Sequence, residues 1–210
     1  MKSLKYFIAL SIAALAITPS IIGQINVFNT GVQGCCDLLD PNWTLTAAPT
    51  GVTLGNTFST PTVSTWVTPS AGSAWINPFG DNGTQPAGNY TYQETFSLNS
   101  ATGNSITGEF AADNSAMMIL NGSLIASTVN GIFGFEQFTP FSADSGFLVG
   151  TNTIDIVVNN AAPSPTGLEV EISGASGIPT TTPEPSSLLL MGSGVLVLAG
   201  VVRRKRKYVG

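Results

Sequence analysis

The chain has 210 residues, 43% of them apolar; seven Lys and Arg, twelve Asp and Glu and no His give a formal charge of −5. Every cation lies at an end, as Lys2, Lys5, Arg203, Arg204, Lys205, Arg206 and Lys207, so residues 6–202 contain carboxylates and no base. This excludes nucleic-acid binding, which needs Lys and Arg against phosphates, along with phosphate loops, Ser-His-Asp or Cys-His catalysis and imidazole-held transition metals. Carboxylate chemistry, oxygen-ligand cation sites and binding through aromatic and amide groups remain.

In chain order, residues 1–23 read as a secretory signal helix. Lys2 and Lys5 form its positive start and residues 6–17 its apolar stretch, with small residues for cleavage at Ser20 or Gly23. Residues 24–174 are expected to form one domain of ordinary size. Cys35 and Cys36, the two cysteines, are adjacent. Neighbouring Cα atoms lie about 3.8 Å apart, below the roughly 4.4–6.8 Å usual for a disulfide. Three states therefore stay open: a vicinal disulfide, two free thiols, or cross-links to another chain. Asp37 and Asp40, with Asn42 and backbone carbonyls, are candidate ligands for a structural calcium ion, and Asp113 with Asn114 is a second candidate. Neither has the spacing of a known calcium loop. Trp43 reads as core, whereas Trp75, beside the loop 77–88, is the candidate sugar contact.

The strands follow from period-two alternation. Tyr90, Tyr92, Phe96 and Leu98 alternate with Thr91, Gln93, Thr95 and Ser97. Ile106, Phe110 and Ala112 repeat the pattern, then Ile154, Ile156 and Val158. Leu168, Val170 and Ile172 set against Glu169 and Glu171 suggest a strand with a solvated acidic face. Asn121-Gly122 separates two apolar runs and predicts a two-residue type I′ hairpin. Many short antiparallel strands and no helix-period segment indicate an all-β domain, an antiparallel β-sandwich or barrel.

Residues 175–182 form a linker. Pro183-Glu184-Pro185 then leads into the apolar segment 188–202, closed by Arg203, Arg204, Lys205, Arg206 and Lys207. About 15 residues make a helix of about 22 Å, short of the roughly 30 Å hydrocarbon core. The basic run stops translocation and keeps this end cytoplasmic, so a transient membrane intermediate fits better than a permanent anchor.

The ordered trio of Pro183-Glu184-Pro185, apolar helix and basic tail resembles the PEP-CTERM sorting domain of Gram-negative bacteria, over residues 183–210. That resemblance implies processing by an exosortase-type membrane peptidase and delivery to the cell surface or extracellular matrix. The domain itself, through 40–45, 73–76, 112–122 and 150–154, is similar to galactose-binding-like jelly-roll sandwiches of other exported PEP-CTERM proteins. The expected protein is a non-enzymatic structural or adhesive component whose partner is polysaccharide or another surface polymer. The alternatives are a specific carbohydrate-binding module, with or without a calcium ion, and a surface hydrolase using carboxylates alone. No carboxylate pair in the sequence is placed for glycoside hydrolysis.

Overall fold

The computed structural model describes residues 25–177, all-β apart from one short 3₁₀ turn, Gly131–Phe133. The ten strands are β1 (Leu39–Ala47), β2 (Gly55–Ser59), β3 (Ile76–Asn77), β4 (Gly88–Leu98), β5 (Ser105–Asp113), β6 (Ser115–Leu120), β7 (Ser123–Ser127), β8 (Thr139–Ala143), β9 (Gly150–Asn160) and β10 (Gly167–Ser176). The signal helix, the apolar helix and the sorting segment lie outside the described residues.

Alternation does what the sequence predicts in the long strands. Tyr90, Tyr92, Phe96 and Leu98 of β4 face inward and pair with β9 along the full 11 residues of both strands. Ile154, Ile156 and Val158 of β9 fill the same interior, joined by Phe110, Met118, Leu120, Leu168 and Val170. The hairpin forms as expected. Asn121 and Gly122 have φ of 49° and 83°, the two positive angles a type I′ turn requires, and β6 returns directly as β7.

All neighbours are antiparallel and follow one continuous order, β7-β6-β9-β4-β1-β2-β3-β10-β5-β8. The expected antiparallel class is present, but as one curled, nearly barrel-like sheet. Short β2 and two-residue β3 stitch β1 to β10, which makes the strand order continuous and is compatible with the expected sandwich. The curl brings the terminal strands together: the Val129 amide, just past β7, donates to Thr139 Oγ1 on β8 at 3.0 Å. A second, smaller apolar cluster of Trp66, Trp75 and Ala111 lies outside the main core. It positions the acidic face described next.

Candidate functional site

Strand β10 has two faces. Leu168 and Val170 point into the core, so Gly167, Glu169 and Glu171 point outward. Across the antiparallel register they meet Asp113, Ala111 and Glu109 of β5. Four carboxyl groups therefore share one face of one strand pair. The sequence suggests a solvated face here, and the structure corrects that reading for Glu169, which is 0% exposed. The cause lies in the connection from β2 to β3. It carries Trp66 and Trp75 across this face, ring centroids 4.2 Å apart, and Trp66 Nε1 donates to Asp113 Oδ2 at 2.8 Å. Gly167 makes room for them: a Cβ there would stand 3.0 Å from the Trp66 ring and 3.2 Å from Trp75.

Under this lid Glu169 makes no well-formed hydrogen bond, and only the Ser73 and Thr30 hydroxyls stand near it as weak partners. The Ser73 hydroxyl beside it is spent on Ser70 O and Glu171 Oε1. Burial pushes the Glu169 carboxyl up to about 9; the Ser73 and Thr30 hydroxyls oppose the shift, and Glu171 and Asp40 add to it. Burial likewise raises Asp113 to about 6 against the opposing Trp66 bond. Glu94, on the core face of β4, is raised to about 8 by burial, with the Phe28 amide (2.9 Å to Oε1) opposing and Asp40 reinforcing.

Glu171 lies beyond the lid. Its Oε1 accepts from the Ser70 amide at 2.6 Å and Ser73 Oγ at 3.0 Å, and Glu109 stands directly opposite on β5. Together with Asn29, Gly108 and Pro140 they line an open groove of about 450 Å³. A second groove, about 300 Å³, has an apolar floor of Leu54, Phe58 and Pro78 edged by Thr53 and Asn56. Around it Leu38, Leu39, Leu54 and Phe79 are exposed, and Leu39 pairs with Phe58. Cys35 and Cys36, exposed just before β1, are joined in the structure by a disulfide.

The other sequence candidates fall in different places. Trp75 is 0% exposed and its Nε1 donates to Val67 O at 3.0 Å, so its ring is no free sugar platform. Packing on Trp66 and Gly167 explains this. Asp40 is buried and accepts from the Gly31, Asn42 and Trp43 amides at 2.7, 2.8 and 3.0 Å, which makes it a loop organiser. Asp37 is exposed near Gly80. Asn114 Oδ1 accepts from the Ala161 amide at 2.8 Å, and Asp113 is held by Trp66. Among the described residues no three carboxylates or cysteines gather closely enough to hold a metal ion. Sequence reasoning missed the acidic groove. The i, i+2 spacing of Glu169 and Glu171 was its local signal, whereas the pairing of β10 with β5 is not local.

The described part is an all-β domain, and the segment after it matches a known signal. Residues 181–207 match the PEP-CTERM protein-sorting motif. That motif marks an exported, membrane-processed surface protein and implies an exosortase-type processing partner. Among solved structures, the chain is similar to an α-L-rhamnosidase from Streptomyces avermitilis complexed with L-rhamnose, at 20% identity and a TM-score of 0.42, covering 68% of this chain and 14% of that one. It is also similar to a family 35 carbohydrate binding module from Clostridium thermocellum (13% identity, TM-score 0.32, 63% of this chain and 88% of that one). A family 35 module from an environmental isolate aligns at 17% identity and a TM-score of 0.31, covering 54% of this chain and 82% of the module. No curated protein matches the chain in sequence.

Proposed function

We propose that this protein is a non-enzymatic structural or adhesive component of the cell surface or extracellular matrix, associated there with polysaccharide. The observation that carries the reading is the sorting motif at 181–207, which marks the chain for export and processing. The chemistry of the domain supports the rest. It offers no His, Lys or Arg between residues 6 and 202 for catalysis, while its groove over Leu54, Phe58 and Pro78 combines apolar surface with the hydroxyl and amide of Thr53 and Asn56, a lining suited to neutral sugars. The membrane is a way station, through 188–202.

Intact mass and co-sedimentation test this together. In cells containing an exosortase the mature protein should lack residues 188–207 and sediment with the extracellular polysaccharide. Retention of that segment sinks the sorting assignment; absence from the polymer fraction sinks the association.

A second reading, a specific carbohydrate-binding module, is favoured by the groove over Leu54, Phe58 and Pro78, an apolar floor with polar rims. A glycan array probed with and without EDTA reads both its sugar preference and any calcium dependence. Binding to a single sugar class favours the module, and indifference to sugar identity favours the structural role. A carboxylate-only hydrolase is the third reading, and turnover of chromogenic glycosides is its test.

A further inference from the structure

Ile25, the first described residue, lies against Gly177, the last: a Cβ at Gly177 would stand 2.9 Å from the Ile25 side chain. Between them the entering segment runs alongside β10. The Thr30 amide donates to Val170 O at 3.1 Å and the Ile172 amide to Asn29 Oδ1 at 2.7 Å. The chain therefore enters and leaves the sheet at the same end.

Three turns share that end. Ser176 of β10 pairs with Ser105 at the start of β5, and Ile106 with Ala143 at the end of β8. Leu98 closes β4 against Gly150, the start of β9, and Leu120 closes β6 against Ile154. The turns 99–104, 121–122 and 144–149 project from here. Two asparagines fasten the second to the third. Asn121 Nδ2 donates to Gly146 O at 2.9 Å and to Asn152 Oδ1 at 2.8 Å. Asn152, fully buried, binds both the amide and the carbonyl of Leu148.

On this fastened surface Leu148 and Val149 are exposed, as is Leu124 just past the hairpin tip. The three turns contain a single carboxylate, Asp144, in a chain with twelve. Acidic surface is repelled by anionic lipid headgroups, and this end is nearly free of that repulsion.

The tether selects the partner. Ten residues, 178–187, separate Gly177 from the apolar segment 188–202. Even fully extended, at about 3.3–3.6 Å per residue, they reach no more than about 35 Å. The apolar segment is shorter than the hydrocarbon core, and a short span draws its flanks toward the bilayer. A contact too weak to join separate molecules forms at the effective concentration that such a tether imposes.

We propose that, while 188–202 is held in the membrane, this end of the domain rests on the bilayer surface with Leu124, Leu148 and Val149 in the lipid interface. This rests on the reading of 188–202 as a transient membrane segment and adds an orientation to it. Pro183-Glu184-Pro185 is then confined between domain and bilayer. Exposed Ile132 and Phe133 provide the control. They are equally apolar but lie at the opposite end, where Gly134 bonds to Ala112 and Asn114, beside the pairing of Asp113 with Gly167.

The test uses the full-length chain reconstituted into vesicles of phosphatidylcholine with a minor share of phosphatidylglycerol. The lipids either carry bromine near the glycerol end of their chains or do not. Val149→Trp and Ile132→Trp are each read against the parent, whose own tryptophans, Trp43, Trp66 and Trp75, are buried. Bromine should remove about half or more of the emission added by Val149→Trp, as for an apolar group lying about 5–10 Å into the interface. It should leave that added by Ile132→Trp unchanged. Adding Leu124→Ser and Leu148→Ser to Val149→Trp should reverse most of the loss. All four positions are exposed, so the melting temperatures should match the parent's.

Equal quenching at the two ends, or none at either, overturns the proposal. Quenching that survives both serine changes undiminished does so too, because the introduced tryptophan alone would then be entering the lipid. A chain that dimerises through this end, shielding Val149→Trp from bromine, makes the partner a second copy instead. Flotation separates the two levels of the reading. If the chain floats with the vesicles while Val149→Trp stays bright, only the seating is lost. If it does not float, the membrane intermediate fails and the seating with it.

Discussion

Glu169 shows how one side chain can couple the domain to pH. In the unfolded chain its carboxyl titrates near 4.5, whereas the folded carboxyl is raised to about 9, and that of Glu94 to about 8. Between these limits the folded state holds protons that the unfolded chain has released. Stability must therefore fall as pH rises through that window, and it is greatest on the acidic side. The melting temperature should decline steadily from pH 5 to pH 9. Glu169→Gln, neutral at every pH, should flatten the decline and raise the melting temperature at pH 8 by several degrees, since each kcal/mol moves it about 2–4 °C in a domain this size. A variant with an unchanged slope would show that Glu169 is not the group responsible. At the same scale, Cys35 and Cys36 are exposed and joined by a disulfide. Alkylation without reduction should therefore leave the chain unmodified, and two adducts in the mass spectrum would show free thiols instead.

At the scale of elements, the hairpin and the β5–β10 pair make opposite demands on their residues. Asn121 sits at positive φ, where its side chain donates to Gly146 O and Asn152 Oδ1 and accepts from the Thr153 amide at 2.9, 2.8 and 2.9 Å. Asn121→Ala should cost about 2–3 kcal/mol in a urea titration, from backbone strain and an unpaired amide. A loss under about 0.5 kcal/mol would mean that the turn is set elsewhere. Gly108 has no such conformational need; it is required by the close approach of Glu171 and Phe141. Gly108→Ala should be among the most damaging single changes, preventing folding or splaying β5 from β10. The hairpin was legible in the sequence because its signal is two adjacent residues, and β4, β9 and β10 were legible because alternation is local. What escaped depends on the strand order. Glu169 looks solvated until β10 is seen between β3 and β5, with a loop from far upstream folded over it. Strand β1 has irregular register against both neighbours, and β3 is two residues long, so neither offers a period to read. Trp75 is misplaced for the same reason: its partners, Trp66 and Gly167, are separated from it in sequence by 9 and 92 residues, the differences of their numbers.

For the whole molecule the uneven placement of charge outweighs any single contact. Twelve carboxylates less Glu184 leave eleven in residues 24–182, with no Lys, Arg or His among them, a formal charge of −11. Ion pairs cannot hold such a domain together; its stability rests on the apolar interior lined by β4, β9 and β10 and on the hydrogen-bonded sheet. Charge of one sign repels itself most strongly in the compact state, and the Debye length falls from about 30 Å at 0.01 M salt to about 3 Å at 1 M. Raising sodium chloride from 0.01 to 0.5 M should therefore raise the melting temperature at pH 7 by a few degrees. A domain held by surface ion pairs would lose stability instead, and that outcome would refute the charge argument. The same salt series run with the Glu109→Gln, Glu171→Gln variant localises part of the repulsion. If those facing carboxylates are a main source, the variant should start higher at low salt and gain less from added salt. Parallel curves would place the repulsion evenly over the surface.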